Sequence, residues 1–281
     1  MEEPSRPVKL TAVIITLNGE RLFGRCLDSL AFCDRILVVD SFSSDATQRI
    51  AEEHGAIFIQ NPWPGNAKQI RFGVQWLEEH APTEWVLFLD CDEICSPELA
   101  ESIRRALASP GDKSAFSMPR RTWYFDRFLR HGGSYPDRLF RLFRPESIRI
   151  EESGAHQQFR PSGPHGDLEG DLLHYTYANF FNQMDKLNDY AQRGAKDLER
   201  RGRRGGIAAG LGHGLWRFVS MYILKRGFLD GRAGFLMAAH TAFYTFLKYI
   251  RINEGAWGAP YTAGLSSSQT AAPRSGSDSE S

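Results

Sequence analysis

The chain has 281 residues, with 34 Lys and Arg against 34 Asp and Glu, 42% hydrophobic residues and 24% charged ones. That length holds a sizeable buried core, and the composition excludes a wholly disordered or fibrous chain. A formal net charge of zero excludes a protein built mainly to neutralise nucleic acid, so no nucleic-acid partner is expected.

Four cysteines are too few for a disulfide scaffold at this size. Cys91 and Cys95 have no second Cys or His pair at zinc spacing, so reduced thiols in a cytoplasmic compartment are expected. Residues 1–9 carry charge and proline and no apolar segment, so no secretory signal is read. Nowhere do about 18 apolar residues run without charge, so a soluble or peripheral chain is expected.

The first hundred residues alternate two periodicities. Residues 10–17, Arg35–Asp40, 56–60 and Trp85–Asp90 are short apolar runs of the kind that strands buried on both faces require. Between them Leu22, Cys26, Leu27 and Leu30 share one helical face, as do Ile70, Val74 and Leu77. Ser44 or Asp45 can cap the helix that holds Ile50, and Ser96-Pro97-Glu98 starts another. This alternation predicts an α/β fold with a doubly wound, mostly parallel sheet whose ligands sit beyond the carboxyl ends of the strands.

After Ser114 the pattern changes. Residues 115–119, 123–129 and 139–143 are short, mixed segments rich in Arg and aromatics, expected to form later strands and an acceptor-side wall. Residues 178–197 read as helix, 199–206 as a basic, glycine-broken connector, and 215–251 as two apolar helical stretches divided by Gly231. The expected organisation is a catalytic domain over 8–177, a helical C-terminal extension over 178–254 and a disordered Ser/Gly/Thr-rich tail over 265–281.

The strongest chemical signal is Leu89-Asp90-Cys91-Asp92-Glu93, directly after an apolar strand. Carboxylates two apart point the same way, and a turn there lets both reach one ligand. Hard oxygens suit a divalent Mg or Mn, which bridges diphosphate oxygens and neutralises a departing nucleoside diphosphate. A solvated acidic turn is the alternative. Asp40 also ends an apolar strand, where a carboxylate can accept from a nucleoside's base or ribose, whereas Asp45 reads as a helix cap. Asn18 supplies a third polar position at a strand end.

These residues resemble a known family. Thr16-Leu17-Asn18, the Val-Val-Asp-Ser-x-Ser-x-Asp-x-Thr string at 38–47 and Leu-Asp-Cys-Asp-Glu at 89–93 look like family 2 glycosyltransferases of the nucleotide-sugar-binding A-type fold. More narrowly, the chain is similar to the bacterial lipopolysaccharide-core β-glucosyltransferase group. Supporting motifs are Tyr135-Pro136-Asp137-Arg138-Leu139-Phe140-Arg141, Leu173-His174-Tyr175-Thr176-Tyr177 and Lys225-Arg226-Gly227-Phe228-Leu229-Asp230-Gly231.

The resemblance implies transfer of a sugar from a nucleotide donor, a UDP-sugar above all, to a bacterial surface glycan or glycolipid, with inversion at the anomeric carbon. It puts Asp40 against the nucleoside, Asp92 on the metal and Asp90 by the ribose or metal, with Thr16, Leu17, Asn18, Gln69 and Arg71 at the donor site. His174 either completes the metal's coordination or packs as an ordinary histidine. The family often carries His-Glu where this chain has His156-Gln157, and an amide cannot act as the base that an inverting transfer needs. Asp137 is the first substitute, followed by Glu151, Glu152 or His156 itself. Arg138 and Arg141 would grip phosphates of the donor or of an acidic acceptor, or form bridges within the fold.

Trp216, Phe218, Tyr222, Leu224, Phe228 and Leu229 alternate with Arg217, Lys225 and Arg226, as an interfacial segment does. Peripheral contact with the inner face of an anionic cytoplasmic membrane is therefore expected, against packing on the catalytic domain or on a second subunit. Oligomeric state is left open. Two other functions compete. A sugar-phosphate nucleotidyltransferase needs a Gly-rich loop after the first strand, which residues 17–22 lack, and Gln157 suggests a nucleotide-sugar-binding module without catalysis.

Overall fold

A computed structural model describes residues 9–153, 156–177 and 179–252. The chain runs β1 (Leu10–Thr16), α1 (Glu20–Asp28), β2 (Arg35–Asp40), α2 (Thr47–Glu53), β3 (Ile57–Gln60), α3 (Asn66–His80) and β4 (Trp85–Asp90). It continues through β5 (Glu93–Cys95), α4 (Pro97–Ala108), β6 (Ala115–Tyr124), β7 (Arg127–Phe128) and β8 (Asp137–Phe143). A hairpin of β9 (Ile148–Ser153) and β10 (His156–Pro161) precedes β11 (His165–Asp167) and β12 (Leu172–His174). The helices α5 (Phe180–Arg200), α6 (Ile207–Val219) and α7 (Gly231–Ile250) follow.

The main sheet has the order β3-β2-β1-β4-β8-β6-β12-β5. The four apolar runs of the sequence form its parallel half, and β8 enters antiparallel to both β4 and β6. Alternating residues of β1 explain the two covered faces. Ala12 and Ile14 pack with Phe23 and Leu27 of α1 and Leu99 of α4, while Val13 and Ile15 pack with Ile70, Val74 and Leu77 of α3. The predicted doubly wound α/β arrangement is what the chain adopts, although β3 is only half-buried because it is the sheet's edge. Glu93, the last residue of the acidic motif, opens a short buried strand, Glu93–Cys95, beside β12.

Strand order reverses between β1 and β4, which opens a crevice at their carboxyl ends. Register puts Thr16 beside Asp40 and Ile15 beside Asp90, so the three strand ends singled out in the sequence meet at one edge of the sheet.

Ser96 caps α4 by accepting from the Leu99 N–H, as Ser-Pro-Glu predicts. Asp45 accepts from the Thr47 N–H at the head of α2 and from the Glu20 N–H of α1, but the N-cap position itself is Ala46, so neither Ser44 nor Asp45 is the cap residue that the sequence suggests. The C-terminal apolar region begins earlier than the sequence suggests, at Ile207, and its break falls at residues 225–230, just ahead of Gly231, which opens α7.

The start of α7 is packed backbone to backbone. A Cβ at Gly234 would stand 1.9 Å from the Gly227 carbonyl oxygen, which no side-chain rotation relieves. Gly234→Ala is therefore expected to destabilise the fold by about 1–3 kcal/mol, the range of overpacking. A lowered urea midpoint at unchanged slope measures it, and an unchanged midpoint would show that the turn can shift freely.

Candidate active site

A cavity of about 450 Å³ opens where β1 and β4 end. Thr16 and Leu17 line one side, Asp90, Cys91 and Asp92 the floor, and His174 and Thr176 the opposite side. Helix α5 contributes Lys186 and Tyr190, one turn apart on one face. The sequence analysis missed these two, although their four-residue spacing on a helix after the His174 segment was the available signal.

The acidic loop is held from beneath. Glu93 is fully buried, and its carboxylate accepts from the Asp90 N–H at 3.0 Å. The Arg141 guanidinium donates to Asp90 at 3.0 Å and to Glu93 at 3.3 Å, with only 2% of its surface exposed. Its carbon lies 4.5 Å from the centroid of the Phe88 ring. Arg120 donates to Glu93 at 3.5 Å and to Asp137 at 2.7 Å. The result is a chain of alternating charges: Asp90, Arg141, Glu93, Arg120 and Asp137.

Burial and the neighbouring Glu93 push the Asp90 carboxyl above its ordinary value, against the pull of Arg141. Asp92 moves the other way. Burial raises it, but the hydrogen bond and charge of His174, together with the Lys186 charge, outweigh burial and hold it below the usual carboxylate range. The His174 Nε2 lies 3.5 Å from Asp92 Oδ1. Burial pushes the Cys91 thiol up to about 12, so it is a neutral thiol in the neutral pH range.

Several candidates lie elsewhere. Asp40 is fully buried, and its oxygens accept from the Ser43 N–H at 2.8 Å, the Ser43 hydroxyl and the Gln60 amide. It therefore fixes the turn after β2 rather than facing the cavity. Asn18 clips the end of β1 to that turn, its amide oxygen accepting from the Ser44 N–H at 2.9 Å. Gln69 is buried and ties α3 to Ser41 and Asn61. Arg71 donates to the Ile150 carbonyl and so pins α3 to β9. A polar residue near a strand end satisfies backbone or turn groups first, and spacing alone does not separate that role from ligand binding.

Arg141 is likewise an internal charge partner and not an exposed phosphate grip. A second cavity, of about 600 Å³, is lined by Asp137, Arg138, Arg141 and Arg160 and shares Arg120 and Gln157 with the first. Arg138 is exposed there and pairs with Asp167 at 3.3 Å. Asp137 is partnered by Arg120, not by the arginines of its own motif. Gln157 reaches both cavities, at the position where the resemblance expects a carboxylate. The side chains of Glu152 and His156 lie outside the described ones, and Glu151 is exposed and paired with Arg160.

The structure thus brings Asp90, Asp92 and His174 to one cavity, but among the described residues no set of three or more His, Cys, Asp or Glu forms a metal cage. Mg and Mn are commonly held by one or two carboxylates plus substrate phosphates and water, and Asp92 on the cavity floor fits that donor set, with the His174 imidazole beside it.

Comparison with known proteins follows the same lines. Among relatives, an uncharacterized glycosyltransferase of Rickettsia typhi is 27% identical over 263 residues, covering 88% of this chain and 87% of its own. The lipopolysaccharide core biosynthesis glycosyltransferase LpsC of Rhizobium meliloti is 28% identical over 252 residues, covering 87% and 92%. Among solved structures, glucosyl-3-phosphoglycerate synthase of Mycobacterium tuberculosis, in complex with Mn2+ and UDP, aligns with a TM-score of 0.45 and 17% identity over 74% of this chain and 88% of that one. The sequence model for glycosyl transferase family 2 matches residues 11–160, which span β1 to β10 and with them Asp90, Asp92 and Asp137. On that match the chain belongs to glycosyl transferase family 2.

Proposed function

We propose that this enzyme moves a sugar from a nucleotide-sugar donor, a UDP-sugar, to a bacterial surface glycan or glycolipid such as lipopolysaccharide core. The supporting observation is the Asp92–His174 pair, which shares with the Lys186 ammonium a cavity at the reversal of strand order. The name of the Rhizobium relative supports the acceptor class. Four free cysteines suit a reducing cytoplasm, and the acceptor would be met at the inner face of the membrane.

In this reading Thr16 and Leu17 seat the nucleoside, and Lys186 binds the diphosphate. A divalent Mg or Mn held by Asp92 and His174 would supply further neutralisation of the leaving group's charge. The acceptor lies in the second cavity with its hydroxyl toward Arg120 and Gln157. Asp137 takes the hydroxyl proton as the acceptor oxygen bonds the anomeric carbon and the bond to the diphosphate breaks, which inverts that centre. Arg120 holds Asp137 in place, and Arg138 faces the acceptor.

A thermal-shift panel of nucleotide sugars with and without Mn²⁺ tests donor binding. A ligand at about 100 times its Kd adds about 2.7 kcal/mol of apparent stability. Asp137→Asn is expected to lower transfer about 100-fold or more while leaving the donor shift intact, the split a general base produces. Unchanged turnover in that variant removes Asp137 from the role. A saturable donor shift with no transfer across an acceptor panel would instead favour the binding-module alternative.

A further inference from the structure

Helix α6 is packed inside out. The residues it buries against α7 are Gly210 and Gly214, whose added Cβ atoms would meet Phe246 at 3.0 Å and the Ala242 carbonyl at 3.1 Å. Flanking that seam and turning away from it are Ile207, Leu211 and Leu215, four apart, and Trp216, with 68%, 58%, 67% and 61% of their surfaces exposed. A helix on the surface of a soluble domain shows the reverse, with large apolar side chains inward and small or polar ones outward. The exposed apolar surface continues through Ile223 and Leu224 of a π-helical turn, Ser220–Leu224, and Phe228 and Leu229 of the next turn, Gly227–Asp230.

Charge is segregated onto the same region. Residues 200–252 hold ten Lys and Arg and one acidic residue, Asp230, in a chain of zero formal net charge. Asp230 is buried and accepts from the Arg130 and His131 N–H groups and from the His131 ring, so it offers nothing to offset the surface charge. Arg203, Arg204, Arg217, Lys225 and Arg226 are all exposed beside the apolar face. Two copies meeting through this face would bring like charges together, which disfavours self-association. Among the described residues no helix is long and apolar enough to cross a membrane.

We propose that α6 and the two turns after it form an interfacial docking surface for an anionic phospholipid bilayer. Ile207, Leu211, Leu215, Trp216, Ile223 and Leu224 enter the boundary between headgroups and acyl chains, and the flanking Arg and Lys pair with lipid phosphates. Helix α6 packs on α7, and α7 on α5, which bears Lys186 and Tyr190 of the cavity wall. Docking would therefore hold the cavity near the surface that carries a lipid-linked acceptor. The proposal rests on the glycolipid reading only for its purpose, because lipid binding is measured without donor or acceptor.

The test is flotation of the full chain with extruded vesicles of phosphatidylcholine containing about 30 mol% phosphatidylglycerol, and with pure phosphatidylcholine, at about 0.1 M and about 0.5 M NaCl. Partitioning is expected to be at least about tenfold stronger on the anionic vesicles at low salt, and to fall about tenfold at high salt. Leu215→Glu with Trp216→Glu is expected to weaken it at least about tenfold at unchanged circular dichroism. A chain that floats with neither vesicle, or a double variant that floats as well as the parent, overturns the proposal. So does a parent dimer that these substitutions turn into a monomer, which would assign the face to a second copy. Loss of sugar transfer with lipid binding intact would instead count against the reaction assigned above.

Discussion

Asp92→Asn is expected to reduce sugar transfer by at least about a hundredfold while the fold survives, since it removes the carboxylate that would hold the cation, and one preorganised electrostatic contact to developing charge is worth about 10²–10³. Asp92 lies on the cavity floor, partnered by His174 and influenced by Lys186, and its carboxyl is held below the usual range. It is thus ionised throughout the neutral range and ready to hold a cation. The amide keeps the shape and removes the charge. The Mn²⁺-dependent part of the donor-induced thermal shift should vanish with it. If turnover and metal dependence both survive in Asp92→Asn, the assignment of this loop is wrong.

Arg141→Ala should cost about 3 kcal/mol of stability, because it removes the buried cation shared by Asp90 and Glu93 and leaves Glu93 only the longer contact to Arg120 at 3.5 Å. Glu93 is fully buried and Asp90 largely so, and Arg141 is the cation that donates to both. Burial already pushes Asp90 upward, so removing Arg141 drives it further toward the neutral acid, and the loop loses the charge that sets its shape. Arg141→Ala with Glu93→Gln should recover part of the loss, since one uncompensated charge goes as well. Urea unfolding of the two singles and the double measures this. Additive losses would show that the three side chains do not form one network.

The parallel half of the sheet was legible because its strands are buried on both faces and so must be continuous apolar runs. The Asp-x-Asp at the end of the fourth run was legible for the same reason, since a polar pair directly after such a run falls at the ligand-binding edge. The roles of Asp40, Gln69 and Arg71 were not legible. Each carries groups that bond equally well to a ligand or to a nearby turn, and the turn lies closer. Glu93 was quoted in the motif but not recognised as its buried anchor. The strand that hides it, β5, exists because β12, almost 80 residues later, pairs with it.

By itself the sequence determined the alternation of strands and helices, the edge at which the strand ends meet, the acidic loop and the basic character of the C-terminal region. These depend on the order of residues along one element, which spacing records. The tertiary structure alone decided that Arg120 rather than Arg138 holds Asp137, that Arg141 faces inward, that Lys186 and Tyr190 reach the cavity, and that α6 packs on α7 through Gly210 and Gly214. Those outcomes depend on which elements lie side by side. A guanidinium or an apolar helix face is compatible with several neighbours, and register and packing select one.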